Sequence, residues 1–231
     1  MTLSDFFPPT VFIALWAAHA WLVESSPWRG RTLSAAMEEE RRRWAERLLT
    51  RDFRIVDASI IGGLQNGTAF FASTSLLAIG GAFALFNNAD RLLTAYDAVA
   101  IAPELTRGEL EIRILGLLLL YAYAFFKFSW AYRLFNYVSI LIAAAPMVAD
   151  ARPADEMKTA VDKVAKMSVA AAREFNRGQR AFLFSIGYLG WFFGAATLIA
   201  GAALTFAIMA ARQFASPALA AVAGNRKLLD E

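Results

Sequence analysis

The sequence predicts an all-α, polytopic membrane protein with four long transmembrane helices and two amphipathic helices on the cytoplasmic side. Three observations carry this expectation. Hydrophobic residues make up 58% of the 231-residue chain and charged residues 19%, against about 45–50% and roughly 25% in soluble domains. The excess is gathered into four runs, each able to supply the roughly 20 residues of helix that cross a hydrocarbon core. Basic residues concentrate in two of the connections between those runs.

The first run, FFPPTVFIALWAAHAWLV at residues 6–23, fits one span. It ends in AHA, like a signal-peptide cleavage site. MTLSD before it holds no basic residue, whereas a secretory signal begins with a basic region, so an uncleaved span is expected. In the connection 24–57, LSAAMEEERRRWAERLLT puts Leu33, Met37, Trp44 and Leu48 on one helical face. Glu38–Glu40 precede Arg41–Arg43, which allows acid-before-base pairs at i,i+3 and i,i+4.

The second run spans residues 58–86 and carries Gln65, Asn66, Thr68, Ser73, Thr74 and Ser75. Polar side chains in lipid must bond across helices or face water. The third run spans 112–145. The connection 146–180 carries a stripe of Met157, Val161, Val164, Ala171 and Phe175. Pro153 and Asp155 mark its start, and a break is expected at Gly178, before the fourth run at 181–211. The whole chain, 1–231, reads as a single four-span membrane domain.

Orientation follows from basic residues flanking the spans. Connections 24–57 and 146–180 hold eight and seven, connection 87–111 holds two, and residues 1–5 hold none. The two basic connections are expected in the cytoplasm and both termini outside. The alanine-rich composition points to a bacterial plasma (inner) membrane.

Helices in lipid associate through close packing of small residues and interhelical hydrogen bonds. Candidate packing positions are Gly63 and Gly67 in the second run and Gly187, Gly190, Gly194 and Gly201 in the fourth. Packing within one subunit and packing between subunits both stay open at this point.

The third run contains FFKFSWAYRLFNY at 125–137, two full charges inside an apolar stretch. With the core beginning near Ile114, Lys127 lies about 20 Å down the helix. Its stem can reach toward the inner headgroups. However, VSILIAAA follows Arg133 and Asn136, and no acid within the four spans is available to pair with Lys127. An intramembrane ionisable group without a partner marks a functional site. Lys127, Arg133, Asn136, Gln65 and Asn66 are therefore pore or ligand candidates. Asp52, Arg54 and Asp57 form a second expected cluster, with Arg180, as a structural ion-pair network.

Several classes are excluded. The chain has no cysteine and one histidine, His19, so no thiolate site or multi-histidine metal site forms within one chain. His19 reads as a packing histidine. No phosphate loop or nucleophile elbow is present, so neither a catalytic residue nor a cofactor is expected. Acids interleave with the bases and no reading module is visible, which argues against nucleic acid.

The order RRRWAERLLTRDFRIVD, LQNGTAFFASTSLLAIGG, FFKFSWAYRLFNY followed by AAAP, then AAREFNRGQRAFLF resembles the bacterial multi-pass membrane family called domain of unknown function 599. The likeness covers nearly the whole chain. It implies a four-span membrane protein and brings no catalytic residue with it. From the residues themselves, the first functional expectation is a homo-oligomeric channel or carrier for a small anion, since rings of cations select anions. The alternative is a structural or assembly subunit whose cytoplasmic helices bind a membrane-protein partner.

Overall fold

Two helices too long for a bilayer organise this chain. The structure is a computed structural model that describes residues 6–51, 53–97, 105–147, 150 and 153–227. Its α-helices are α1 (Phe7–Glu24), α2 (Leu33–Arg47), α3 (Ile55–Asn87), α4 (Ala89–Asp97), α5 (Arg107–Ala144), α6 (Ala154–Tyr188), α7 (Ala195–Phe214) and α8 (Pro217–Lys227). No strand occurs among the described residues. At 38 and 35 residues, α5 and α6 run about 57 Å and 52 Å, well beyond a core of roughly 30 Å. They pack antiparallel along their length. α3 packs along α5 and reaches α6 through Phe71, which meets Phe175 and Phe182, and α1 and α7 pack on the second half of α6.

Three helical stretches are long and apolar enough to cross a membrane: α3, α5 and Ala195–Val222, which joins α7 to the start of α8. α1 is not among them. Its 18 residues include two prolines, His19 and Glu24, which dilute its apolar length.

The expected fourth run, 181–211, is not one helix. Its first residues complete α6, so the connection 146–180 and the start of the run form a single helix. The chain then turns through Leu189–Phe193 and returns as α7. Gly194 makes this reversal possible at φ +127° and ψ 176°, a region open essentially to glycine alone. Gly178 is not a break. It sits mid-helix, where an added Cβ would come within 2.8 Å of the Phe128 ring. The missing side chain is what lets α5 and α6 close on each other.

This hairpin changes the parity of the chain. At one end of the bundle, the start of α1 packs with the end of α6, Phe12 meeting Tyr188 edge-on at 5.2 Å. There Tyr188 Oη donates to the Arg113 carbonyl at 3.1 Å, and Arg113 donates to the Trp191 carbonyl at 2.6 Å. At the other end, Gln213 of α7 accepts from the Ser34 backbone N–H at 3.1 Å and from its Oγ at 3.0 Å. The start of α1 and the end of α7 therefore lie at opposite ends of the bundle. We call these the α4 end and the α2 end.

The α2 end explains the apolar run after Arg133. Val138 and Ile142 pack there with Ala45, Leu48, Val161 and Val164, so protein rather than lipid covers them. Arg54 closes that end of α5, donating to the carbonyls of Ile142, Ala145 (2.7 Å) and Pro146 (2.6 Å). A cation at a helix C-terminus meets the negative end of the helix dipole. At the α4 end, Thr106 and Glu109 form a capping box on α5, satisfying orphan N–H groups.

Candidate functional site

Where α1 ends, its last residue Glu24 meets the middle of α6. The spacing of Arg173, Glu174, Arg177 and Arg180 on α6 puts these charges on adjoining faces at steps of three and four. Glu24 Oε2 accepts from Arg177 at 3.0 and 2.6 Å, and its Oε1 accepts from the buried Arg180. Arg177 also donates to Glu174 Oε1 at 2.6 Å. Glu174 Oε2 takes the Lys127 ammonium at 2.7 Å. One turn nearer the α2 end, Arg173 holds Glu38 of α2 through both oxygens, at 2.6 and 2.7 Å. Arg29 reaches the same carboxylate at 3.0 Å.

These side chains surround a chamber of about 160 Å³ between α1, α2, α6 and α7. Arg29, Arg173, Arg177 and Arg180 face Glu24 and Glu38, an excess of two positive charges in its lining. His19 lines the chamber too. It is 1% exposed, with the Met209 backbone of α7 beside its ring. Toward the α4 end, Phe184 and Phe206 stand edge-on to His19 at 6.1 and 5.6 Å.

Electrostatics at the chamber mouth follow from burial and pairing. Burial works to raise the Glu38 carboxyl, but hydrogen bonds and charge from Arg173 and Arg29 outweigh it and hold the group below its usual value. For Arg41, on the next turn of α2, burial dominates and lowers the guanidinium's value, with Glu38 opposing. Among the described residues, no three His, Asp or Glu side chains converge to hold a metal.

The candidates read from the sequence divide. Lys127 is not partnerless: its acid comes from α6, outside the four runs, and its ammonium also lies 5.5 Å from the Tyr123 ring centroid. Arg133 is exposed and bonds Tyr137 one turn on at 2.7 Å. Gln65 donates to Asn136 at 2.5 Å, tying α3 to α5, and Asn66 is exposed. The structure does not gather these five residues around one cavity.

The second expected cluster also divides. Asp57 is fully buried, accepting from Trp44 Nε1 at 2.7 Å and from Arg51. Arg54 caps α5, Arg180 belongs to the chamber, and Asp52 lies outside the described residues.

The glycines separate in the same manner. At Gly187 and Gly201 an added Cβ would meet the other's carbonyl oxygen at 2.7 and 2.6 Å, and at Gly190 the Thr197 carbonyl is closer still. Gly63 and Gly67 face open space. Sequence reasoning missed the chamber, although the charge spacing in AAREFNRGQRAFLF was a usable signal. Those charges stand where a membrane-entering helix would be apolar.

The family model described as a protein of unknown function, DUF599, matches residues 9–218. The chain belongs to that family. The match takes in all of the chamber lining, from His19 to Gln213. No curated protein and no solved structure matches this DUF599 chain.

Proposed function

We propose that this chain is a multi-pass carrier for a small anion, seen with its binding chamber open at the α2 end and closed toward the α4 end. The carrying observation is a chamber whose lining sets four arginines against two carboxylates, with a buried histidine beside them. A cavity whose lining carries an excess of one sign within low-dielectric walls concentrates the opposite ion. A closed aromatic layer above one open chamber is the arrangement of an alternating-access transporter rather than of an open pore.

In this reading five stretches cross the plasma membrane: α1, α3, α5, the second half of α6, and α7. The α2 end faces the cytoplasm, because the basic connections lie there. The start of α1 is then outside and the end of α7 inside. α1, α2, α6 and α7 of one chain line the chamber, so anion binding needs no second copy.

Titration of the full chain in detergent with sulfate, inorganic phosphate and acetate, at constant ionic strength, tests this. Thermal stability should rise saturably with at least one of these anions. In Arg29→Gln and His19→Leu the half-saturating concentration should rise about tenfold, a difference of roughly 1.4 kcal/mol in binding. An equal response in native protein and both variants would contradict the proposal.

A further inference from the structure

Beside the chamber, with Glu38, Arg173 and Gln213 as a shared wall, a second hollow of about 410 Å³ opens between α3 and the α2–α6 pair. Its size falls within the roughly 300–1,000 Å³ of small-ligand sites. Its two halves differ in chemistry. One is an apolar slot: Gly63, Leu64 and Gly67 of α3 face Phe135 and Phe175. The slot is open because the two glycines leave it so, and a Cβ on either would touch nothing within 4 Å.

The other half is cationic. Arg41 stands at its edge, bonded to Ser168 Oγ at 3.2 Å and to no carboxylate among the described residues. Arg212, at the last turn of α7, makes no hydrogen bond or ion pair among them. Neither guanidinium is ion-paired among the described residues; Glu38 acts on Arg41 only through charge at a distance, and Arg41 is largely withdrawn from water. A desolvated cation is costly unless an anion is supplied. Free phosphate would answer the arginines and leave the apolar slot empty. An amphiphile with an anionic head fills both halves. The slot begins about two turns into α3 from its α2 end, where a membrane-crossing helix leaves the headgroup layer.

We infer that this hollow seats one anionic phospholipid from the leaflet at the α2 end. Its acyl chain lies along Gly63 and Gly67, and its phosphate sits between Arg41 and Arg212. Basic pockets between transmembrane helices hold anionic head groups through the same combination of charge and apolar contact. Because Glu38 and Arg173 border both spaces, the seated lipid would lie against the chamber mouth.

Native mass spectrometry of the full chain, in micelles holding equal phosphatidylglycerol and phosphatidylcholine, reads this out. One phosphatidylglycerol should remain bound in preference to phosphatidylcholine. Arg41→Gln/Arg212→Gln should reduce that preference about tenfold. Gly67→Phe, which fills the slot without touching the arginines, should lower retention of both lipids. It projects into open space, so the fold is kept and the test stands even where the double variant fails to fold. Inorganic phosphate in excess should not displace the lipid. Equal retention of the two lipids, retention unchanged in the variants, or full displacement by inorganic phosphate would each overturn the inference, the last by revealing a free-anion site only.

Discussion

Lys127 of α5 donates to Glu174 of α6 at 2.7 Å, with side-chain exposures of 26% and 13%. The pair ties the two longest helices together at mid-length, and Glu174 passes the link on to Arg177 and Glu24. Removing Glu174 leaves Lys127 largely buried without its acid, and removing Lys127 leaves Glu174 with Arg177 alone; losses of this kind cost about 1–3 kcal/mol. Lys127→Met and Glu174→Gln should each destabilise the protein by that order, and the double variant by less than their sum. A double-mutant cycle on thermal unfolding in detergent measures the coupling, and strict additivity would show that the pair does nothing.

The α6–α7 reversal depends on one residue. Gly194→Ala forces a side chain into backbone angles that only glycine adopts freely, at about 1–3 kcal/mol. Its melting temperature should fall clearly below that of the native protein, whereas Gly30→Ala, at a glycine of negative φ facing open space, should leave it nearly unchanged.

The small-residue stripes should behave oppositely on substitution. Gly201→Leu must separate α7 from α6, because the added atoms meet the Gly187 backbone; overpacking of this kind costs about 1–3 kcal/mol, occasionally more. Gly63→Leu enters open space and should fold normally. Comparing the yield of monodisperse protein for the two variants decides between them.

Acid should loosen the α2–α6 contact. The Glu38 carboxyl is held below its usual 4.5 in the folded chain. A depressed carboxylate contributes stability that is complete above its unfolded value and is lost as pH falls through the folded value. Native protein should therefore lose stability as pH drops below about 4.5, and Glu38→Gln should be weaker at neutral pH with a shallower acid limb. Melting temperatures across pH 3–7 report the difference.

Much of the fold was legible in the sequence. Apolar runs located α1, α3 and α5 to within a few residues, since length and hydropathy dominate wherever one helix matches one run. The fourth run misled because hydropathy is blind to backbone angles. The apolar composition of AFLFSIGYLGW continues evenly through the reversal, and only Gly194 within LGWFFGAA marks it. The reversal also sets the end of α7 at the opposite end of the bundle from the start of α1.

The site was less legible. Lys127 looked partnerless because its acid lies 47 positions away on α6, in a stretch that basic-residue counting had assigned to a connection. Long-range ion pairs leave no local pattern. His19 was read as packing, and its burial agrees with that, but its place in the lining of a charged chamber is a property of three-dimensional surroundings alone.

Anion movement across proteoliposomes tests the central claim most directly. With the anion that stabilises the protein in detergent loaded on both sides, radiolabelled uptake should require unlabelled anion inside, saturate with concentration, and fall strongly in His19→Leu. Uptake that proceeds equally into empty vesicles, or no uptake by folded protein with any anion tried, would contradict a carrier built around this chamber.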